Sequence, residues 1–131
     1  GGLIGHVQGT ISLTNCYATG NVDGVDRMGG LIGYILSGTT GTIDNNYATG
    51  TVTASANSYK LIGLDSSGAL TITDNYVLDN TCNAGAGGGC AETNGGTQLI
   101  DAEMKAEASY NTWDFGSNWS IVEGVSYPTL Q

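Results

Sequence analysis

The sequence predicts an all-β fold: a parallel β-helix (β-solenoid) of about three coils with a C-terminal cap containing one short helix. Three observations carry this reading. Two motifs recur at a common period of about 29 residues. The segments between them are short, rich in β-branched residues and alternate apolar with polar side chains, as half-buried strands do. The composition sets 22 glycines against a single proline in 131 residues, with only 11% charged residues. That suits tight stacking and neither collagen nor a disordered tail.

The first motif is Gly1-Gly2-Leu3-Ile4-Gly5. It returns as Gly29-Gly30-Leu31-Ile32-Gly33 and, in decayed form, as Tyr59-Lys60-Leu61-Ile62-Gly63, at spacings of 28 and 30 residues. The second is Asn15-Cys16-Tyr17-Ala18-Thr19-Gly20. Its copies are Asn45-Asn46-Tyr47-Ala48-Thr49-Gly50 and Asp74-Asn75-Tyr76-Val77-Leu78-Asp79, at spacings of 30 and 29 residues. Repeats of this length suit a solenoid, whereas a propeller blade needs about 40 residues. A β-sandwich also uses many short strands, but it does not call for one pentapeptide at a fixed period.

The coils are expected at about 1–28, 29–58 and 59–81. Stacking them about 4.8 Å apart turns each motif position into a column. Leu3, Leu31 and Leu61 form one apolar column, and Leu13, Ile43 and Ile72 another. Tyr17, Tyr47 and Tyr76 form an aromatic column, whose expected role is packing, with an outward sugar platform as the alternative. Asn15, Asn45 and Asp74 form a polar ladder at a turn. The motif glycines are expected to turn corners at positive φ and to let neighbouring backbones approach.

Residues 82–131 break the repeat. Cys82 and Cys90 close a glycine-rich loop, and a disulfide there would stabilise by about 2.6 kcal/mol in the loop-entropy model. Cys16 is left as a free thiol. Thr97 to Ser109 reads as a helix started by Thr97 or Asp101, with Leu99, Ile100 and Met104 over the end of the stack. Trp113, Phe115, Trp119, Ile121 and Tyr127 then supply a cap over the open strand edges of the last coil. The sequence begins within a motif at Gly1. More coils before Gly1, or a neighbouring subunit, are therefore expected on that edge.

Chemistry is sparse. Three basic residues against twelve acidic ones, a net charge of −9, disfavour nucleic acid and acidic polysaccharide. No run of 18 apolar residues is present, so no membrane insertion is expected. His6 is the single histidine and lacks the partners of a triad. The acid pairs Asp23/Asp26 and Glu103/Glu107 read as solvated faces, so no catalytic residues and no metal site are assigned. No cofactor is expected. Calcium among the turn carboxylates Asp23, Asp26, Asp44, Asp65, Asp74 and Asp79 is the alternative.

The two repeat motifs resemble the GLUG-motif repeats of bacterial surface and secreted proteins. The carriers are Gly29 to Ile35 and Asn15 to Val22. The tail, from Met104-Lys105 through Trp113-Asp114-Phe115 and Trp119 to Ser126-Tyr127-Pro128, resembles the segment that closes such arrays. Repeats of this kind occur in adhesin-like and filamentous-haemagglutinin-like proteins and in non-catalytic parts of immunoglobulin A proteases. The resemblance implies a non-catalytic, extracellular or cell-surface module with structural or adhesive work, meeting a host or matrix protein or a glycan. A filament subunit assembled head to tail, or a non-catalytic region of a secreted protease, is the alternative.

Overall fold

The computed structural model describes residues 1–79, 83–84 and 94–131. Each repeat forms four short strands. Coil 1 contains β1 (Ile4–Val7), β2 (Thr10–Thr14), β3 (Tyr17–Ala18) and β4 (Val22–Asp26). Coil 2 contains β5 (Ile32–Ile35), β6 (Thr40–Asp44), β7 (Tyr47–Ala48) and β8 (Val52–Ala56). Coil 3 contains β9 (Ile62–Asp65), β10 (Leu70–Thr73), β11 (Tyr76–Leu78) and β12 (Asn83–Ala84). Because β12 pairs with β8, the third coil runs past the expected boundary at residue 81.

Equivalent strands stack in parallel, giving sheets β1-β5-β9, β2-β6-β10 and β4-β8-β12. The sheet β3-β7-β11 gains a fourth rung, β13 (Thr97–Leu99). The register is that of the motifs: Ile4 opposes Ile32 and Ile32 opposes Ile62, while Tyr17 opposes Tyr47 and Tyr47 opposes Tyr76. The solenoid prediction holds in class, coil number and column order.

The interior is one apolar cluster. Leu31, Ile32, Ile35, Ile43, Leu61, Ile62, Ala48 and Val77 are buried in it, with Val7, Leu13 and Ala18 from coil 1. Leu3 stacks on Leu31 through a 3.0 Å backbone hydrogen bond, yet it is 46% exposed while Leu31 and Leu61 are fully buried. The column is real, but its coil-1 member has nothing above it.

The corners follow expectation in part: Gly9, Gly38 and Gly68 turn at positive φ after the first strand of each coil, while the other corners use other residues. The positive-φ residues at the turns after the second and fourth strands are Asn15, Asn45 and Asp74, then Arg27 and Asn57. The motif glycines serve close approach instead. A Cβ on Gly29, Gly30, Gly33, Gly50 or Gly63 would overlap backbone atoms of a neighbouring turn or coil. Side chains that accept from nearby backbone tolerate the left-handed region and free glycine for the contacts that exclude a Cβ.

The expected helix over Thr97–Ser109 is largely replaced. Its first residues form β13, which pairs with β11 and adds backbone bonds that a helix would forfeit. Only Asp101–Met104 is α-helical (α1), followed by a 3₁₀ turn at Glu107–Ser109. Neither Thr97 nor Asp101 caps it. The cap position is Ile100, whose N–H donates to the Glu103 carboxylate at 3.0 Å. Met104 is buried as expected, but Ile100 is exposed.

Candidate functional site

The structure places the C-terminal aromatic residues along the side of the solenoid and not over its end. The cause is strand alternation. Ala18, Ala48 and Val77 point into the core, so the preceding Tyr17, Tyr47 and Tyr76 point outward. An outward file of tyrosines needs a cover, and the tail provides it as a strap. Trp119 and Trp113 stack on each other with centroids 4.3 Å apart. Trp119 meets Tyr17 and Tyr47, and Trp113 meets Tyr47 and Tyr76. Tyr110 packs edge-on against Tyr76 at 4.9 Å. Phe115, Ile121 and Tyr127 pack around this second core, and β14 (Trp119–Ser120) pairs with β15 (Thr129–Leu130) to close the strap.

Hydrogen bonds tie the strap to every coil. The Trp119 indole donates to the Asn15 side chain at 3.0 Å, and the Thr112 hydroxyl donates to Asn45 at 3.2 Å. The Trp113 indole donates to the Asp74 carbonyl at 3.0 Å. Tyr47 returns the arrangement by donating its hydroxyl to the Pro128 carbonyl at 2.7 Å. Asn15, Asn45 and Asp74 thus form a column, but its members serve the strap and are not linked side chain to side chain.

The polar ladder that runs through the stack is the next column. Asn46 accepts from the Cys16 N–H at 2.8 Å and donates to the Leu13 carbonyl at 3.0 Å. Asn75 repeats this one coil down, accepting from the Asn46 N–H at 3.1 Å and donating to the Ile43 carbonyl at 2.9 Å. The two amides are also joined at 2.9 Å, and both are buried. Cys16 occupies the coil-1 place, where its thiol donates to the Thr14 carbonyl and burial raises its pKa. The paired asparagines at 45 and 46 were the available signal, since only one of two neighbours at a corner can face inward.

The tyrosine column reads as packing for Tyr47 and Tyr76. Tyr17 stacks on Tyr47 at 5.0 Å and 4° between planes, and it remains 36% exposed at the coil-1 end. Burial pushes the Tyr47, Tyr76 and Tyr110 hydroxyls to higher pKa. Tyr127 is raised to about 12 by its hydrogen bond to Asp101, which also holds that carboxyl, with Lys105, below its ordinary value.

Four of the six turn carboxylates are occupied locally, those of Asp26, Asp44, Asp65 and Asp79. Asp26 accepts from Asn57 and contacts Arg27, Asp44 accepts from Thr73, and Asp65 accepts from the Ser67 N–H. Asp79 holds the buried Lys60 ammonium at 3.1 Å and accepts from Gln98. Among the described residues no three His, Cys, Asp or Glu side chains gather as a ligand set. His6 lies opposite Tyr34 and stacks on it at 5.4 Å. Cys82 and Cys90 lie outside the described residues.

The two ends of the stack differ. Below coil 3, β13 and residues 94–96 cross the end: Asn94 donates to the Ile62 carbonyl at 2.9 Å, and Gly96 sits against Leu61 and Val77. At coil 1 the equivalent positions Leu3 and Tyr17 are more exposed than their partners in coils 2 and 3. The sequence model described as "The GLUG motif" matches residues 1–23, which run from the opening pentapeptide through the first Asn-Cys-Tyr-Ala-Thr-Gly. No curated protein and no solved structure matches the chain.

Proposed function

We propose that the chain is a non-catalytic structural and adhesive module of an extracellular repeat protein. Its job is to hold a rigid stack from which turns and strap are displayed. The observation that carries this is the stack itself: equivalent strands of successive coils pair in parallel, in the register of the motifs, around one apolar core. The GLUG match at residues 1–23 supports the surface-protein reading. The low charge supports it too, because a charge in a repeat would stack on its own copy.

The test is to fuse one further coil, copied from residues 29–58, ahead of Gly1. A stacked coil raises the midpoint of thermal unfolding in a single transition and lengthens the particle in small-angle scattering by about 4.8 Å. An added coil that stays protease-sensitive and leaves the midpoint unchanged overturns the reading. A second reading is a filament subunit that stacks on its neighbour in the same parallel register that joins the coils. That reading requires assemblies to grow with concentration in light scattering. A chain that remains monomeric throughout excludes it.

A further inference from the structure

Between the 3₁₀ turn, the strap and the turn at Glu123 lies a cleft of about 560 Å³, within the size range of small-ligand sites. It is lined by the rings of Tyr110, Trp113 and Phe115, packed on one another with centroids 4.6 to 6.3 Å apart. Glu107, Glu123 and Asn111 complete the lining. Glu123 accepts the Glu107 N–H at 3.0 Å, which holds the two acidic residues side by side. The Glu107 carboxylate has no hydrogen-bond or ion-pair partner among the described residues.

Three facts select the class of ligand. The chain's three basic side chains are all engaged elsewhere, Arg27 with Asp26, Lys60 with Asp79 and Lys105 with Asp101, so nothing internal neutralises the cleft. The aromatic donors that would bind a sugar hydroxyl are turned away: the Tyr110 hydroxyl donates to the Met104 carbonyl and the Trp113 indole to the Asp74 carbonyl. Tyr110 and Trp113 are themselves buried and form the floor, so what remains is the part-exposed Phe115 ring and the exposed carboxylates, which accept N–H bonds. We propose that this cleft takes the guanidinium or ammonium group of a basic side chain on a partner protein. The carboxylates accept its N–H groups while the Phe115 ring lines its alkyl stem. The proposal is independent of coil stacking, since the cleft is built wholly from residues 107–123 of one chain.

The experiment titrates the isotopically labelled chain with Nα-acetyl-arginine amide and follows backbone resonances. Nα-acetyl-citrulline amide (the uncharged isostere, hereafter citrulline amide), tetramethylammonium and methyl glucoside run alongside. Saturable shifts confined to residues 107–115 and 123, weakened by salt, are expected with the arginine derivative. Citrulline amide binds about fivefold more weakly or less, as loss of a charge-assisted contact requires. Glu107→Gln weakens binding similarly without moving the thermal midpoint, because Glu107 is exposed and its side chain bonds to nothing. Equal binding of citrulline amide overturns the proposal. Tighter binding of methyl glucoside, or of tetramethylammonium, which has no N–H to donate, also overturns it. So does the absence of any saturable shift.

Discussion

At the scale of single residues, Asn46 and its neighbour Asn45 separate two roles that look alike in sequence. Asn46 is buried and satisfies two backbone groups of coil 1 and one amide of coil 3. Asn45 sits at φ 56° with its side chain toward the strap. Replacing Asn46 by Ala orphans the Cys16 N–H and the Leu13 carbonyl, each costing about 1–3 kcal/mol when buried. We expect Asn46→Ala to lose at least about 2 kcal/mol in denaturant unfolding. Asn45→Gly, which keeps the left-handed backbone and loses one exposed bond, is expected to lose less than about 1 kcal/mol. Equal losses would mean that the inner ladder is not what holds the coils in register. The period of the Asn-x-Tyr motif was readable, but its inward member was not. Alternation assigns faces within a strand and fails across a corner, where one residue at positive φ reverses the side-chain direction.

At the scale of elements, the strap is where local and tertiary preferences part. Thr97 to Ser109 has helical composition, yet β11 offers an unpaired edge, and Thr97–Leu99 takes it. No local pattern announces that edge, because it exists only once coil 3 has formed. The aromatic residues of the tail were recognisable as a cover. Their destination depended on Tyr17, Tyr47 and Tyr76 facing outward, which follows from the small residues Ala18 and Ala48 beside them. Trp119 is the pivot, fully buried against Tyr17, Tyr47 and Trp113. Truncating a buried Trp costs about 3–5 kcal/mol. Trp119→Ala is expected to lower stability by that amount and to open the strap first. The measurement is limited proteolysis at native temperature: early cuts should fall within 110–131 while residues 1–79 remain intact. Cuts appearing first in the coils would show that the strap does not depend on this residue.

At the scale of the whole molecule, two cores share one set of strands, an aliphatic one inside the coils and an aromatic one between coils and strap. The first was legible because its residues repeat. The second was half legible, since the tyrosines repeat and the tail does not. The aromatic core makes stability depend on alkaline pH, and the sign follows from the direction of the shifts. Burial raises the Tyr47, Tyr76 and Tyr110 hydroxyls above their unfolded values, and the Asp101 contact raises Tyr127 to about 12. An unfolded tyrosine ionises near pH 10. Below that pH both states hold the proton and the contribution is complete. Above it the unfolded chain releases protons that the folded chain retains, so unfolding becomes easier as pH rises. The buried Tyr47 and Tyr110 each remove up to about 1.4 kcal/mol per pH unit in that window, and the more exposed Tyr127 and Tyr76 remove less, because solvent screens them. The thermal midpoint should therefore begin a shallow fall above about pH 8.5, where the unfolded Cys16 thiol ionises and the part-buried one does not, and fall steeply beyond about pH 10. Tyrosinate absorbance at 295 nm should rise together with the loss of β circular dichroism. Tyr47→Phe removes the hydroxyl with the most buried surroundings and should make the fall shallower, although it loses the bond to Pro128. Smooth ionisation of all seven tyrosines near pH 10 in an intact fold would instead mean that the strap lets hydroxide reach Tyr47 and Tyr110. The aromatic core would then be open to solvent and not the second foundation of the stack.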